Sequence, residues 1–250
     1  MLAPLAMIAV LSDARPTAQE LRSTVTLTGR CVRSCRPGEM TLGAGEIVGR
    51  RPDGTLIVLT ARHVIESIAM PRVYVRNDAE PGIDFTSFAQ GTGARRATVI
   101  AYASNVDLAL VAFRPLDEDD YAFAALAPGD RSISAKPGVV IGDPNGLLWT
   151  VSNYTFLNNA ASTFLLNCWT CGPGDSGGGV FDSAGRLVGI LVQQRVVFDD
   201  GAAPLRTTQF LAISLPELRL FLGATERQRS QSPPAVSAAW MRFDEMRAAR

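Results

Sequence analysis

Gly172-Pro173-Gly174-Asp175-Ser176-Gly177-Gly178-Gly179 sets one serine in a run of glycines, where a backbone must come very close to a substrate. A hydroxyl is a poor nucleophile at neutral pH. It needs an adjacent base, and backbone N–H groups aimed at the oxygen that becomes charged during acyl transfer. Gly174 has no Cβ and reaches backbone angles closed to other residues, so the N–H groups of Gly174 and Ser176 can point into one pocket, an oxyanion hole. Ordinary turns are also rich in Gly and Ser, so the run needs support from elsewhere in the chain.

His63 is the sole histidine and hence the single candidate for the base. It follows the apolar run Leu56-Ile57-Val58-Leu59 in Thr60-Ala61-Arg62-His63. A lone histidine at a strand end is more often structural than catalytic. The third element is Asn105-Val106-Asp107-Leu108-Ala109-Leu110-Val111, in which one carboxylate opens an apolar strand. A buried carboxylate is costly without a partner, and the N–H of a catalytic imidazole is such a partner. A strand-initiating turn aspartate is the plainer reading of that position.

The order His63, Asp107, Ser176 is that of chymotrypsin-like enzymes and differs from the subtilisin and α/β-hydrolase orders. Thr60-Ala61-Arg62-His63, Asp107-Leu108-Ala109-Leu110 and Gly174-Asp175-Ser176-Gly177-Gly178 resemble the signature blocks of trypsin-like serine peptidases, nearest the bacterial HtrA-type branch. Gly43-Ala44-Gly45-Glu46-Ile47-Val48-Gly49, Gly142-Asp143-Pro144-Asn145-Gly146 and Phe210-Leu211-Ala212-Ile213 echo the same pattern. The resemblance covers residues 40–222 and implies a serine endopeptidase acting on polypeptides. His63, Asp107 and Ser176 would be its triad, and Gly174 and Ser176 its oxyanion hole. It calls for no metal or organic cofactor. By the same alignment Thr170 lies near the base of the specificity pocket, and Gln193 and Gln194 lie on the strand that pairs with substrate. No carboxylate stands at that base, so cleavage after an uncharged side chain is expected. A catalytically inactive binding module on this scaffold, and an esterase or acyltransferase using the same triad, are the alternative functions.

Ile47-Val48-Gly49 resembles the activating N-terminus of trypsin zymogens, but it stands too close to His63 for that role. Asp175 must therefore find another partner or stay solvated.

Short apolar runs punctuated by Gly, Pro and Asp recur along the chain: 24–27, 46–48, 56–59, 72–75, 97–102, 108–113, 139–141, 148–151, 163–166, 187–193 and 209–213. Such spacing reads as an all-β barrel or sandwich. The family resemblance sharpens this to two six-stranded antiparallel β-barrels with a short C-terminal helix. The expected segments are an N-terminal barrel over 23–116, a linker over 117–137, and a second barrel with its closing helix over 138–222. Ser214 and Glu217 are placed to cap that helix. The linker's run Asp117-Glu118-Asp119-Asp120 is expected to be a solvated loop with no ligand.

At 250 residues, 47% hydrophobic and 19% charged, the chain is long enough for one sizeable core or two small ones. Basic and acidic residues balance at 24 each, which gives no reason to expect a nucleic-acid partner. Residues 1–22 are a possible signal or N-terminal segment, since Leu2–Leu11 is apolar but too short to span a bilayer, and Ser12-Asp13-Ala14 offers small residues for cleavage. Secretion or a periplasmic location is expected, without stable membrane insertion after processing; a cytoplasmic location is the alternative. The cysteines fall in close pairs, Cys31/Cys35 and Cys168/Cys171. They leave open every disulfide connectivity, free thiols, or a four-sulfur zinc site. Residues 223–250 read as a flexible tail. Arg227–Pro234 is expected not to continue the helix, and Val236, Trp240, Phe243 and Met246 lie on one face of a short amphipathic helix. No PDZ-sized segment follows residue 222, and nothing in the sequence speaks to oligomeric state.

Overall fold

The computed structural model describes residues 16–32, 40–91, 93–129, 137–197 and 207–230. Helix α1 (Ala18–Ser23) leads into β1 (Thr24–Cys31), β2 (Met40–Arg50) and β3 (Leu56–Thr60). After these come α2 (Arg62–Glu66), β4 (Ile68–Val75), the two-residue β5 (Ile83–Asp84), α3 (Phe85–Gly91), β6 (Arg95–Tyr102) and β7 (Ala109–Phe113). The second half holds β8 (Gly138–Gly142), β9 (Leu147–Leu148), β10 (Thr150–Asn159), β11 (Thr163–Cys168), β12 (Gly179–Phe181), β13 (Leu187–Val197), β14 (Thr207–Ser214) and α4 (Leu215–Ser230). Strands in the order β1-β2-β3-β7-β6-β4 close one barrel, and β10-β11-β14-β13-β12-β8 close the other. Every pairing within them is antiparallel. The expected all-β, two-barrel architecture is the one observed.

Alternation explains the second barrel. On β8, Val140 points into a cluster with Tyr154, Phe164 and Phe210, while Val139 and Ile141 join the cluster that includes the first barrel's interior. On β12, Val180 and Phe181 divide in the same way. One face of these strands fills the barrel, and the other seals it against its neighbour. β3 and β7 are buried at every position, so they read in sequence as unbroken apolar runs. Leu218, Phe221 and Leu222 of α4 join the shared cluster at the three- and four-residue spacing of one helix face.

Several expectations change. The apolar run 148–151 is broken by Trp149, which is fully buried with φ at 51°; it separates β9, paired with β5, from β10. β12 was hidden at the end of the glycine run. α4 runs past Leu222 to Ser230, with Thr225 buried, so the expected break before Arg227 does not occur there. Ser214 ends β14, and its hydroxyl has no hydrogen-bond partner among the described residues, so the expected cap is not formed.

The acidic run is not simply a solvated loop. Asp119 pairs with Arg95, with side-chain exposures of 0% and 4%, and Asp120 pairs with Arg22. Within the expected linker, Ala124 N donates to Ile47 O at 2.8 Å and Ala127 N to Leu187 O at 3.0 Å, so this stretch straps the two barrels. At the N-terminal end, Thr17 and Glu20 form a capping box on α1. Residues 1–15, Cys35 and the 236–246 stretch lie outside the described residues. Among those described, no helix is long and apolar enough to cross a membrane.

Candidate active site

β3 ends at Thr60, and the chain turns directly into α2, which carries His63. Asp107 precedes β7, the strand that pairs with β3 through Thr60↔Ala109. Strand pairing thus delivers both side chains to the same end of the first barrel. Asp107 Oδ2 lies 2.6 Å from His63 Nδ1, and Asp107 Oδ1 accepts the His63 backbone N–H at 2.9 Å. Burial pushes the Asp107 carboxyl up, but its hydrogen bond to His63, the charge of that ring and the His63 and Arg62 backbone N–H groups outweigh it. The net result is below the ordinary 3.8.

Ser176 comes from the second barrel and is stitched onto the first. Ala44 N, on β2, donates to Ser176 O at 2.9 Å. A Cβ on Gly177 would lie 2.0 Å from Ala44 O and 2.3 Å from Thr60 Oγ1, so only glycine allows this approach. A Cβ on Gly43 would fall 2.7 Å from Val64, the neighbour of His63, and 3.0 Å from Ser176 O. The three predicted residues therefore gather at one edge of the barrel interface. Among the described hydrogen bonds none joins Ser176 to the imidazole, an arrangement common before substrate arrives.

Gly174 has φ at +105°, and a Cβ there would lie 2.1 Å from Asp143 O. The carbonyl of Pro173 accepts Asn145 N–H at 2.6 Å. In a trans peptide C=O and N–H point opposite ways, so this bond turns Gly174 N–H the other way. Neither Gly174 N–H nor Ser176 N–H donates to a protein acceptor among the described residues.

Asp175 is not solvated, and no ion pair among the described residues includes it. Only 1% exposed, it accepts Gly172 N–H at 2.8 Å, and burial raises its carboxyl to about 7. Burial also holds the Asp143 carboxyl well above its ordinary range while it accepts Trp149 N–H at 2.9 Å.

Thr170 donates from Oγ1 to Ser152 Oγ at 2.8 Å, and Ser152 is buried on β10. Gln193 and Gln194 are exposed on β13, opposite Leu211 and Phe210 of β14. Beyond Leu191 that strand has no partner on its β12 side among the described residues. Cys168 and Cys171 form a disulfide with Cα atoms 5.5 Å apart, which removes both sulfurs from any four-sulfur zinc site. Cys31 is also disulfide-bonded. Sequence reasoning gave no role to Glu46, Asp143, Asn145 or Ser152. A lone acid among the small and apolar residues 43–49 was the one available signal.

The family of trypsin-like peptidase domains matches residues 43–190, more than half of the chain. No curated protein matches the sequence. Among solved structures, the active form of the Rv3671c protease from M. tuberculosis is 20% identical, with a TM-score of 0.60, covering 89% of this chain and 86% of that one. Its inactive form is 21% identical, with a TM-score of 0.54 and coverage of 83% and 90%. A serine-to-alanine mutant of Rv3671c from M. tuberculosis H37Rv, in the inactive form, is 18% identical, with a TM-score of 0.56 and coverage of 86% and 90%. At such identities the likeness speaks for the fold, whereas the family match takes in all three sequence blocks. The chain belongs to the trypsin-like peptidase family and is a serine endopeptidase.

Proposed function

We propose that the protein hydrolyses internal peptide bonds with Ser176 as nucleophile, His63 as general base and then general acid, and Asp107 as the group that holds the imidazole. The observation that carries this reading is the two-point contact between Asp107 and His63, at 2.6 Å and 2.9 Å. A carboxylate at Nδ1 keeps the proton on that nitrogen and leaves Nε2 as the acceptor. Nε2 then takes the Ser176 proton as Oγ attacks the carbonyl, and returns it to the leaving amine. The freed Gly174 and Ser176 N–H groups receive the oxyanion, one such donor contributing about 3–4 kcal/mol.

An extended polypeptide fits the open edge of β13, where Gln193 and Gln194 flank it by strand addition. By the family alignment Thr170 stands near the pocket base; it is exposed, its hydroxyl bonds that of Ser152, and neither is a carboxylate. A substrate guanidinium would be desolvated there without a counter-charge, so cleavage follows uncharged side chains. The Cys168–Cys171 disulfide supports an oxidising compartment, secreted or periplasmic.

Labelling with a fluorophosphonate, followed by peptide mapping, tests the nucleophile. The expected adduct sits on Ser176 and disappears in His63→Ala. A wild-type protein that stays unlabelled contradicts the reading, and a labelled protein that leaves polypeptides intact points to esterase or acyltransferase chemistry instead.

A further inference from the structure

Three contacts join the nucleophile segment to β2: Ala44 N–H on Ser176 O, Gly177 packed against Ala44 O, and Gly179 N–H on Glu46 Oε1 at 2.9 Å. The third has a carboxyl as its acceptor. The Glu46 side chain is wholly buried and also meets Ser23 Oγ at Oε2 and Thr24 Oγ1 at Oε1, each at 2.9 Å. It thus ties α1, β1, β2 and β12 together three residues beyond Ser176. No ion pair among the described residues includes it.

The protons of this cluster can be counted for the neutral and the ionised acid. Ser23 Oγ lies 2.9 Å from Glu20 O as well as from Glu46 Oε2, and Thr24 Oγ1 lies 3.1 Å from Glu20 O as well as near Oε1. Each hydroxyl has one proton to give, and a backbone carbonyl only accepts. With Glu46 ionised, two protons serve four contacts. With a proton on Oε2, Glu46 donates to Ser23, Ser23 donates to Glu20 O, and Thr24 and Gly179 donate to Oε1. With its proton the acid serves every one of these contacts; the ion draws both hydroxyl protons to itself, leaves Glu20 O with the Thr24 backbone N–H alone, and is wholly buried with no counter-charge among the described residues, so burial disfavours it.

We propose that Glu46 is a positioning residue for Ser176: as a neutral acid it locks β12 to the first barrel, and loss of its proton loosens that joint and slows acylation of the nucleophile. This rests on the proposed role of Ser176. Burial raises the Glu46 carboxyl to about 8, against the opposing bonds from Thr24, Ser23 and Gly179 N–H, and the charge of Asp143 at the end of β8 adds to the rise. The other acids on the elements packed here are Glu20 on α1, itself raised by burial, and Asp175 in the nucleophile loop. Arg22 on α1 is engaged with Asp120.

Glu46→Gln tests this, because an amide reproduces the neutral acid's donor and acceptor and cannot ionise. The readouts are the rate of fluorophosphonate acylation of Ser176 and the thermal midpoint, each from about pH 5 to about pH 10 in wild type and variant. One unit above a midpoint about one tenth of the molecules keep the proton, so wild-type acylation falls about tenfold at alkaline pH while the protein stays folded. Glu46→Gln is expected to lose that limb, and Glu46→Leu, which cannot accept from Gly179, to be slow at every pH. A raised folded-state value means stability present below the unfolded value and lost as pH rises through the folded one, so the wild-type midpoint falls relative to Glu46→Gln from about pH 5 to about pH 8. Superimposable acylation profiles in labelled wild type and Glu46→Gln overturn the role of Glu46 alone. A wild type that never labels overturns both this role and that of Ser176.

Discussion

The carbonyl of Pro173 accepts the backbone N–H of Asn145 at 2.6 Å, and that single bond sets which way Gly174 N–H faces. Asn145 itself has φ at +54°, a conformation asparagine adopts more readily than most residues. The latch for the loop proposed to receive the oxyanion is thus a turn at the end of β8, on the second barrel.

Gly174→Ala is the direct test of that loop. The new methyl would meet Asp143 O at 2.1 Å in a backbone conformation that L-residues avoid, so the 173–174 peptide must turn to relieve it. We expect kcat to fall about 10²–10³-fold, as for loss of one oxyanion donor, with KM little changed. Unchanged kcat in a folded variant would remove Gly174 from the hole.

Asp107→Asn keeps the shape of the side chain and loses the charge facing His63. The expected loss in kcat is about 10⁴-fold, because the wrong imidazole tautomer is then held. Asp107 also leaves a pH signature. Its carboxyl sits below the ordinary 3.8, so it contributes stability above that value that is lost as pH falls through the lower folded-state value. The acid-side drop in thermal midpoint should be shallower in Asp107→Asn than in wild type.

The buried and exposed ion pairs should differ sharply. Asp119→Ala leaves the Arg95 guanidinium, 4% exposed, without its carboxylate partner, so a cost of about 3–5 kcal/mol in urea unfolding is expected. Asp120→Ala removes a pair whose side chains are 43% and 38% exposed, for which about 0–1 kcal/mol is the expected cost. Similar losses from both would contradict the burial argument.

Much of the fold was visible in the sequence because its barrel strands are apolar runs cut by Gly, Pro and Asp. The exceptions have physical causes. β12 begins inside a glycine run and is only three residues long, so no periodicity marks it. Trp149 looks like the middle of an apolar strand, yet its positive φ and its N–H bond to Asp143 break that strand in two. The length of α4 follows from what Leu218, Phe221 and Thr225 pack against, which local propensity does not report. The contact between His63 and Asp107 was legible because the chain order of the candidates His63, Asp107 and Ser176 is distinctive. Glu46 was not, because the meaning of a buried acid depends on Ser23, Thr24 and Gly179, of which only Ser23 and Thr24 are near each other in sequence.

Profiling a peptide library with the wild-type protein beside Ser176→Ala asks whether Ser176 cuts polypeptides. We predict cleavage after small or medium uncharged side chains by wild type, reduced about 10⁶-fold in kcat by Ser176→Ala. Equal cleavage by the two proteins would rule out Ser176 as the nucleophile.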